Sequence, residues 1–195
     1  MLNVLTRQKY LKRLGFYTGV LDGREGPLTV KAYKAFQKKY GLVVDGIYGA
    51  KTDAKLKSVY KKTMTIDWDK SAYFKKSEFK CNCGGRYCDG YPSSIDPQLL
   101  ANLNKLRKHF GKPVVITSGL RCKKYNASMS GSSSTSLHME GQAVDIYIAG
   151  LTTTLSGRKK VMAYWKKLPK YNYTYCDVDG SHPNMGNAVH VDIDF

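Results

Sequence analysis

Three residues could carry chemistry in this chain if the fold brings them together. His138 and Asp145 stand seven apart, where the run SGSSSTS gives way to the stretch QAVDIYI, and His190 opens the near-terminal HVDIDF. Imidazole nitrogens and carboxylate oxygens are zinc ligands. Two imidazoles with one carboxylate leave a fourth position open for water, the catalytic arrangement rather than the closed structural one. Zinc held there would polarise a carbonyl and lower the pKa of a water. The spacing H-x(6)-D fits a plainer reading equally well: a loop entering a strand, with one residue capping and the other satisfied locally.

Bringing the three together requires strands. In VHVDIDF, His190, Asp192 and Asp194 share one face and Val189, Val191 and Ile193 the other; in VDIYI, Asp145 and Tyr147 lie opposite Val144, Ile146 and Ile148. Antiparallel pairing of these strands lets Asp145 meet His190, with His138 arriving from the preceding loop. DPQLLANLNKLRKHFG reads as a helix with Pro97 in its first turn, an apolar face of Leu99, Leu100, Leu103, Leu106 and Phe110, and Gly111 as its stop. PVVITSG reads as a buried strand, and SGRKKVMAYWKKLPK as a helix ending before Pro169. The fold class expected is α+β: a small antiparallel sheet flanked by helices, behind a small three-helix bundle.

That bundle is read from an internal echo in residues 1–60. LDGREGPLT and VDGIYGAKT each carry an apolar residue, Asp-Gly, a second glycine after two residues, and a threonine placed as a helix N-cap. VLTRQKYLKRLG supplies a helix before the first turn. TVKAYKAFQKKYG supplies one between the turns, with Val30, Tyr33, Phe36, Gln37 and Tyr40 on one stripe. Residues 61–76, rich in lysine, are expected to link this unit to a second one over 77–195.

The chain carries 32 Lys+Arg against 15 Asp+Glu, a net charge of +17, split +10 over residues 1–62 and +7 over the rest. Such a field suits a polyanion: nucleic acid, an anionic membrane, or a wall polymer rich in phosphate and carboxylate. The lysines are scattered and no RNA-recognition signature is present, which turns the reading away from nucleic acid. No stretch approaches the roughly 20 apolar residues of a membrane span, and MLNVLTRQKY lacks the apolar core of a secretory signal. A monomer is expected.

Five cysteines are an odd number, which argues against a complete disulfide framework. Cys81, Cys83 and Cys88 fall within CNCGGRYC. Three readings stand: reduced buried thiols, a structural metal on Cys81, Cys83, Cys88 and Cys122, or a Cys88–Cys122 bridge.

Two resemblances add to these readings. YLKRLGFYTGVLDGREGPLTVKAYKAFQKKYGLVVDGIYGAKTDAKL resembles the small peptidoglycan-binding domain at the ends of many bacterial and phage wall hydrolases, which implies the wall polymer as partner. The order S-G-x-R, then S-x-H-x(2)-G-x-A-x-D, then H-V-D over residues 118–194 resembles the zinc D-alanyl-D-alanine carboxypeptidase superfamily, which includes phage L-alanyl-D-glutamate endopeptidases. FKCNCGGRYCDGYP is similar to a form seen in clostridial and related phage members.

By this resemblance His138, Asp145 and His190 are the zinc ligands. Arg121 holds a substrate carboxylate or carbonyl, and Ser136 hydrogen-bonds substrate. Relatives place an acid as general base three residues before the last ligand, where this chain has Asn187, or a base five before, where it has Met185. His182, Asp179 and Asp177 are the candidates left, with His182 favoured because imidazole titrates in the useful range. Asp192 is expected to orient His190, and His109 to be structural. The function implied is zinc-dependent cleavage of an amide in the stem peptide, endopeptidase or D,D-carboxypeptidase in type, by a phage-like endolysin. The alternatives are an inactive wall-binding protein and a secreted or spore-wall carboxypeptidase.

Overall fold

Each Asp-Gly turn does launch a helix, but the threonine does different work from the capping expected of it. A computed structural model of the chain describes residues 1–180 and 182–194. Helix α1 spans Val4–Arg13, α2 Pro27–Lys39 and α3 Ala50–Met64. The N-caps of α2 and α3 are Gly26 and Gly49, so Thr29 and Thr52 lie inside the first turn with their side chains buried.

What they do is accept hydrogen bonds from buried glutamines. Gln8 Nε2 donates to Asp22 Oδ1 (2.8 Å), the Arg24 carbonyl (2.9 Å) and Thr29 Oγ1 (3.1 Å), while its Oε1 accepts from the Gly23 N–H. Gln37 repeats the pattern with Asp45 Oδ1 (2.8 Å), the Ile47 carbonyl (3.0 Å), Thr52 Oγ1 (3.2 Å) and the Gly46 N–H. The sequence echo is therefore a repeated polar knot in which the preceding helix clamps each turn. A buried amide must be paired in this way or cost about 1–3 kcal/mol. Around the two knots pack Leu11, Tyr33, Phe36 and Leu56, all fully buried.

The chain divides into two compact units, residues 1–65 and 66–194. Helix α3 runs on to Met64, so the first residues of the expected linker are helical. Its remainder is ordered too: Trp68–Lys70 forms a 3-10 turn, and Ile66, Trp68 and Phe74 pack into the second core.

In the second unit Asp96 caps helix α4, Pro97–Phe110, accepting from the Gln98 N–H; Gly111 in left-handed conformation ends it. Strand β1 (Val115–Ser118), short helix α5 (Lys123–Ser128), β2 (Ala143–Tyr147), helix α6 (Leu155–Trp165), β3 (Tyr171–Cys176) and β4 (Val189–Ile193) follow. The sheet is antiparallel throughout, in the order β1-β2-β4-β3. Strand β1 is therefore an edge, not the buried strand expected: Val115 is 49% exposed and burial alternates along it. Val144, Ile146, Val189, Val191 and Ile193 join Leu99, Leu103, Leu106, Val161 and Trp165 in one core. The opposite face of β2 and β4 keeps the polar residues.

Candidate metal centre and active site

Asp145 and His190 are register partners across β2 and β4, and His190 Nδ1 lies 2.8 Å from Asp145 Oδ1. His138 enters from the 3-10 turn Leu137–Glu140, which Gly141 ends with φ +71°. A Cβ on Gly141 would lie 2.0 Å from the Ser94 carbonyl oxygen, so backbone angle and space both demand glycine there. This places His138 Nε2 3.3 Å from His190 Nδ1 and 3.5 Å from Asp145 Oδ1. All three side chains are buried.

These separations test whether the residues fit a metal. Ligands at roughly 2.0–2.1 Å around a tetrahedral zinc stand about 3.3 Å apart. The observed 2.8, 3.3 and 3.5 Å bracket that edge, and the donors are the imidazole and carboxylate atoms zinc prefers.

The surrounding bonds aim the donors. His138 Nδ1 lies 2.8 Å from the Gly119 carbonyl. A carbonyl only accepts, so Nδ1 carries the proton and Nε2 presents its lone pair inward. On His190 the outward nitrogen, Nε2, lies 3.2 Å from Asp192 Oδ2. Asp192 is itself fixed, accepting from the Tyr173 N–H at 2.6 Å and the Asn172 amide at 3.1 Å, which is the orienting role expected of it. The outer oxygen of Asp145 accepts from Arg121 Nη2 at 2.9 Å.

The electrostatics follow from crowding three polar groups where water is scarce. Burial pushes His138 below the ordinary imidazole range, and its bond to Asp145 does not restore it. Burial acts on His190 in the same direction, but bonds to Asp145 and Asp192 outweigh it and leave the pKa raised. Asp145 is pulled the other way: burial alone would raise it, yet the bonds to His138 and His190 hold it well below the carboxylate range. The cluster thus favours an ionised carboxylate beside two imidazoles, a donor set suited to a dication.

A cavity of about 910 Å³ opens over these residues, within the size range of small-ligand sites. Arg121 and Ser136 line it. Arg121, however, is not a free anchor for substrate. Its Nη2 is paired with Asp145, and Nε and Nη2 both reach Ser118 Oγ at 3.2 Å. Ser136 sits just before the histidine turn with no capping bond from its hydroxyl. His182 is exposed on the cavity wall, its ring centroid 5.2 Å from that of Tyr175. Asp177 accepts from the N–H groups of Gly180 and His182, so it shapes the loop, and neither it nor Asp179 lines the cavity. Asn187, at the position where the resemblance leads one to expect an acid, accepts from Arg158 at 3.1 Å. His109 stacks on Tyr164 at 3.9 Å, a packing role.

Tyr175 escaped the sequence reading along with its strand. It pairs with His190 across β3 and β4, and its ring lies 4.7 Å from the imidazole. The signal was present in YNYTYC, an aromatic and β-branched run with period two.

The cysteines settle one open choice. All five are free thiols, so Cys88 and Cys122 form no bridge. The sulfurs of Cys81, Cys83, Cys88 and Cys122 gather within 4.8 Å of one another. Among the described residues no helix is long and apolar enough to cross a membrane.

Comparison with known proteins gives two family matches: Peptidase M15 over residues 72–174 and a peptidoglycan binding domain over residues 2–56. The first takes in His138 and Asp145 and stops before His190. Among curated proteins, the zinc D-Ala-D-Ala carboxypeptidase of Streptomyces albus G is 30% identical over 131 residues, 65% of this chain and 49% of that protein. A spore cortex-lytic enzyme of Bacillus cereus is 37% identical over 108 residues, 51% of this chain and 41% of that protein. An N-acetylmuramoyl-L-alanine amidase of Mycobacterium tuberculosis is 47% identical over 58 residues, 30% of this chain and 14% of that protein. The chain spans half or less of the length of these relatives.

Proposed function

The chain belongs to the peptidase M15 family, and from that premise we propose that it is a zinc-dependent peptidoglycan hydrolase that cuts an amide bond of the stem peptide. The observation that carries the proposal is the convergence of His138 Nε2, Asp145 Oδ1 and His190 Nδ1 at zinc-ligand separations beneath an open cavity. The relatives named for zinc carboxypeptidase and cortex-lytic activity support it. So does the +17 charge, suited to a wall carrying anionic polymers. The N-terminal unit would hold the enzyme on the wall, raising local substrate concentration without adding contacts at the reacting bond.

In this reading His138, Asp145 and His190 hold the zinc. When bound, zinc supplies Lewis acidity at the scissile carbonyl and a lowered pKa for water. The chain's own groups do the rest. Gly119 and Asp192 fix the two imidazole orientations, so no ring must turn during turnover. Arg121 keeps Asp145 in place while its guanidinium also faces the cavity, where a stem-peptide carboxylate or carbonyl meets it. Ser136 offers a hydroxyl to the substrate backbone. His182, on the wall beside Tyr175, takes the proton from the attacking water and returns it to the leaving amine. The cleavage is bacteriolytic in kind, as in endolysins.

Purified walls incubated with the protein, with chelator, and with chelator followed by zinc test the reading, with mass spectrometry of released muropeptides naming the bond. Zinc-dependent release of products with a new amino or carboxyl terminus is expected. Binding to walls without any release in the zinc-loaded state would instead make this an inactive wall-binding protein.

A further inference from the structure

The cysteine cluster lies apart from the histidine site and is built from two separate segments. Residues 81–90 fold back on themselves, the Cys81 N–H bonding the Gly90 carbonyl at 2.8 Å and the Arg86 N–H the Cys83 carbonyl at 3.1 Å. This knuckle delivers Cys81, Cys83 and Cys88; Cys122 arrives from the start of α5. Cys81, Cys83 and Cys122 are buried and Cys88 is partly so. Three of the sulfurs accept backbone N–H groups at 3.4 Å: Cys81 from Cys122, Cys88 from Gly90, and Cys122 from Tyr125. Bonds of this kind favour sulfur carrying negative charge. Four thiolates cannot share so small a space without a cation between them. Zinc–sulfur bonds of about 2.3 Å place tetrahedral sulfurs roughly 3.8 Å apart. The Cys83 and Cys88 sulfurs are 3.5 Å apart, and the whole set lies within 4.8 Å. Cys176 provides an internal contrast as a solitary buried thiol.

We propose that Cys81, Cys83, Cys88 and Cys122 bind one structural zinc ion as thiolates, and that this centre pins the loop bearing Gly119 and Arg121 to the segment preceding α4. Each thiol gives up its proton to solvent as the metal enters. Four thiolates close the coordination shell and leave no position for substrate, so the role is mechanical. The loop it pins is the one that aims the histidine site. The Leu120 N–H bonds the Phe79 carbonyl at 2.9 Å, and a Cβ on Gly119 would meet that oxygen at 2.6 Å, so the two segments lie backbone on backbone. From this loop the Gly119 carbonyl orients His138, the Arg121 N–H bonds the His138 carbonyl, and the Arg121 side chain holds Asp145. The positioning role rests on the proposed zinc site at His138, Asp145 and His190; the thiolate centre does not.

Zinc content and cobalt substitution of the full chain test this. The wild type is expected to carry two zinc ions. H138A/H190A should carry one and, with cobalt, retain a thiolate-to-metal charge-transfer band in the near ultraviolet. C88S should lose that band, and amide exchange at residues 119–122 should quicken. Should C88S not fold, H138A/H190A carries the test, since its cysteines are intact. No charge-transfer band in H138A/H190A, or four thiols that titrate with a mercurial without releasing zinc, overturns the proposal and makes the cluster packed thiols only. Failure of the hydrolase reading would look different: no muropeptide release, with this band unchanged.

Discussion

The two units of this protein bury polar groups in opposite ways. In the N-terminal unit Gln8 and Gln37 lie in the core with both amide ends bonded inside their own turn. In the C-terminal unit His138, Asp145 and His190 are buried too, but each turns its inner atom toward the others. A closed knot answers every donor with an acceptor and asks for nothing further. Three converging metal-ligand atoms, each held from behind by a fixed partner, form a set that a cation completes. The contrast separates buried polarity that maintains a fold from buried polarity that makes a site.

Substitutions can break this contrast, and the largest effect belongs to the open cluster. H138A is expected to abolish zinc-dependent muropeptide release while leaving wall binding intact, as measured by pelleting with purified walls. Next comes the support behind a ligand. D192N frees the outer nitrogen of His190 and should weaken zinc binding by roughly 10–100-fold in a competition titration, with near-native melting.

The closed knots should behave in the reverse sense. Q37A leaves the Gly46 N–H and the Thr52 hydroxyl short of a partner. It should destabilise the N-terminal unit by about 1–3 kcal/mol in urea unfolding, with zinc content unchanged. The smallest effect concerns acid. Asp53 accepts from Lys57, and also from the Leu2 N–H and the Tyr48 hydroxyl; these bonds outweigh burial and hold its pKa down to about 2. A depressed carboxyl stabilises the fold above its unfolded value of 3.8, and that contribution disappears as pH falls toward 2. D53N should therefore flatten the loss of stability across that window; an unaltered acid limb would contradict the assignment.

How much of this was legible in the sequence differs between the units for the same reason. The echo of Asp-Gly turns is local, so the helices it launches could be read directly. The partner of each turn, a glutamine in the preceding helix, is set by packing, and the local sequence alone reads as capping threonines. The alternation in VDIYI and VHVDI fixed which residues share a face, and hence that Asp145 and His190 could meet. The tie of Arg121 to Asp145 and the approach of Tyr175 to His190 depend on strand register, which no single segment of the sequence carries. The four cysteines were visible, but only the fold brings Cys122 to the other three.

The account's central claim is that His138, Asp145 and His190 hold the zinc that cleavage requires. It is tested most directly by muropeptide release from purified walls, following chelated wild type and H190A through a zinc titration. The wild type should release nothing until zinc is returned and then recover fully. H190A should bind the wall and release nothing at any zinc level. Release by H190A at the wild-type rate, or by the wild type with chelator still in excess, would contradict it.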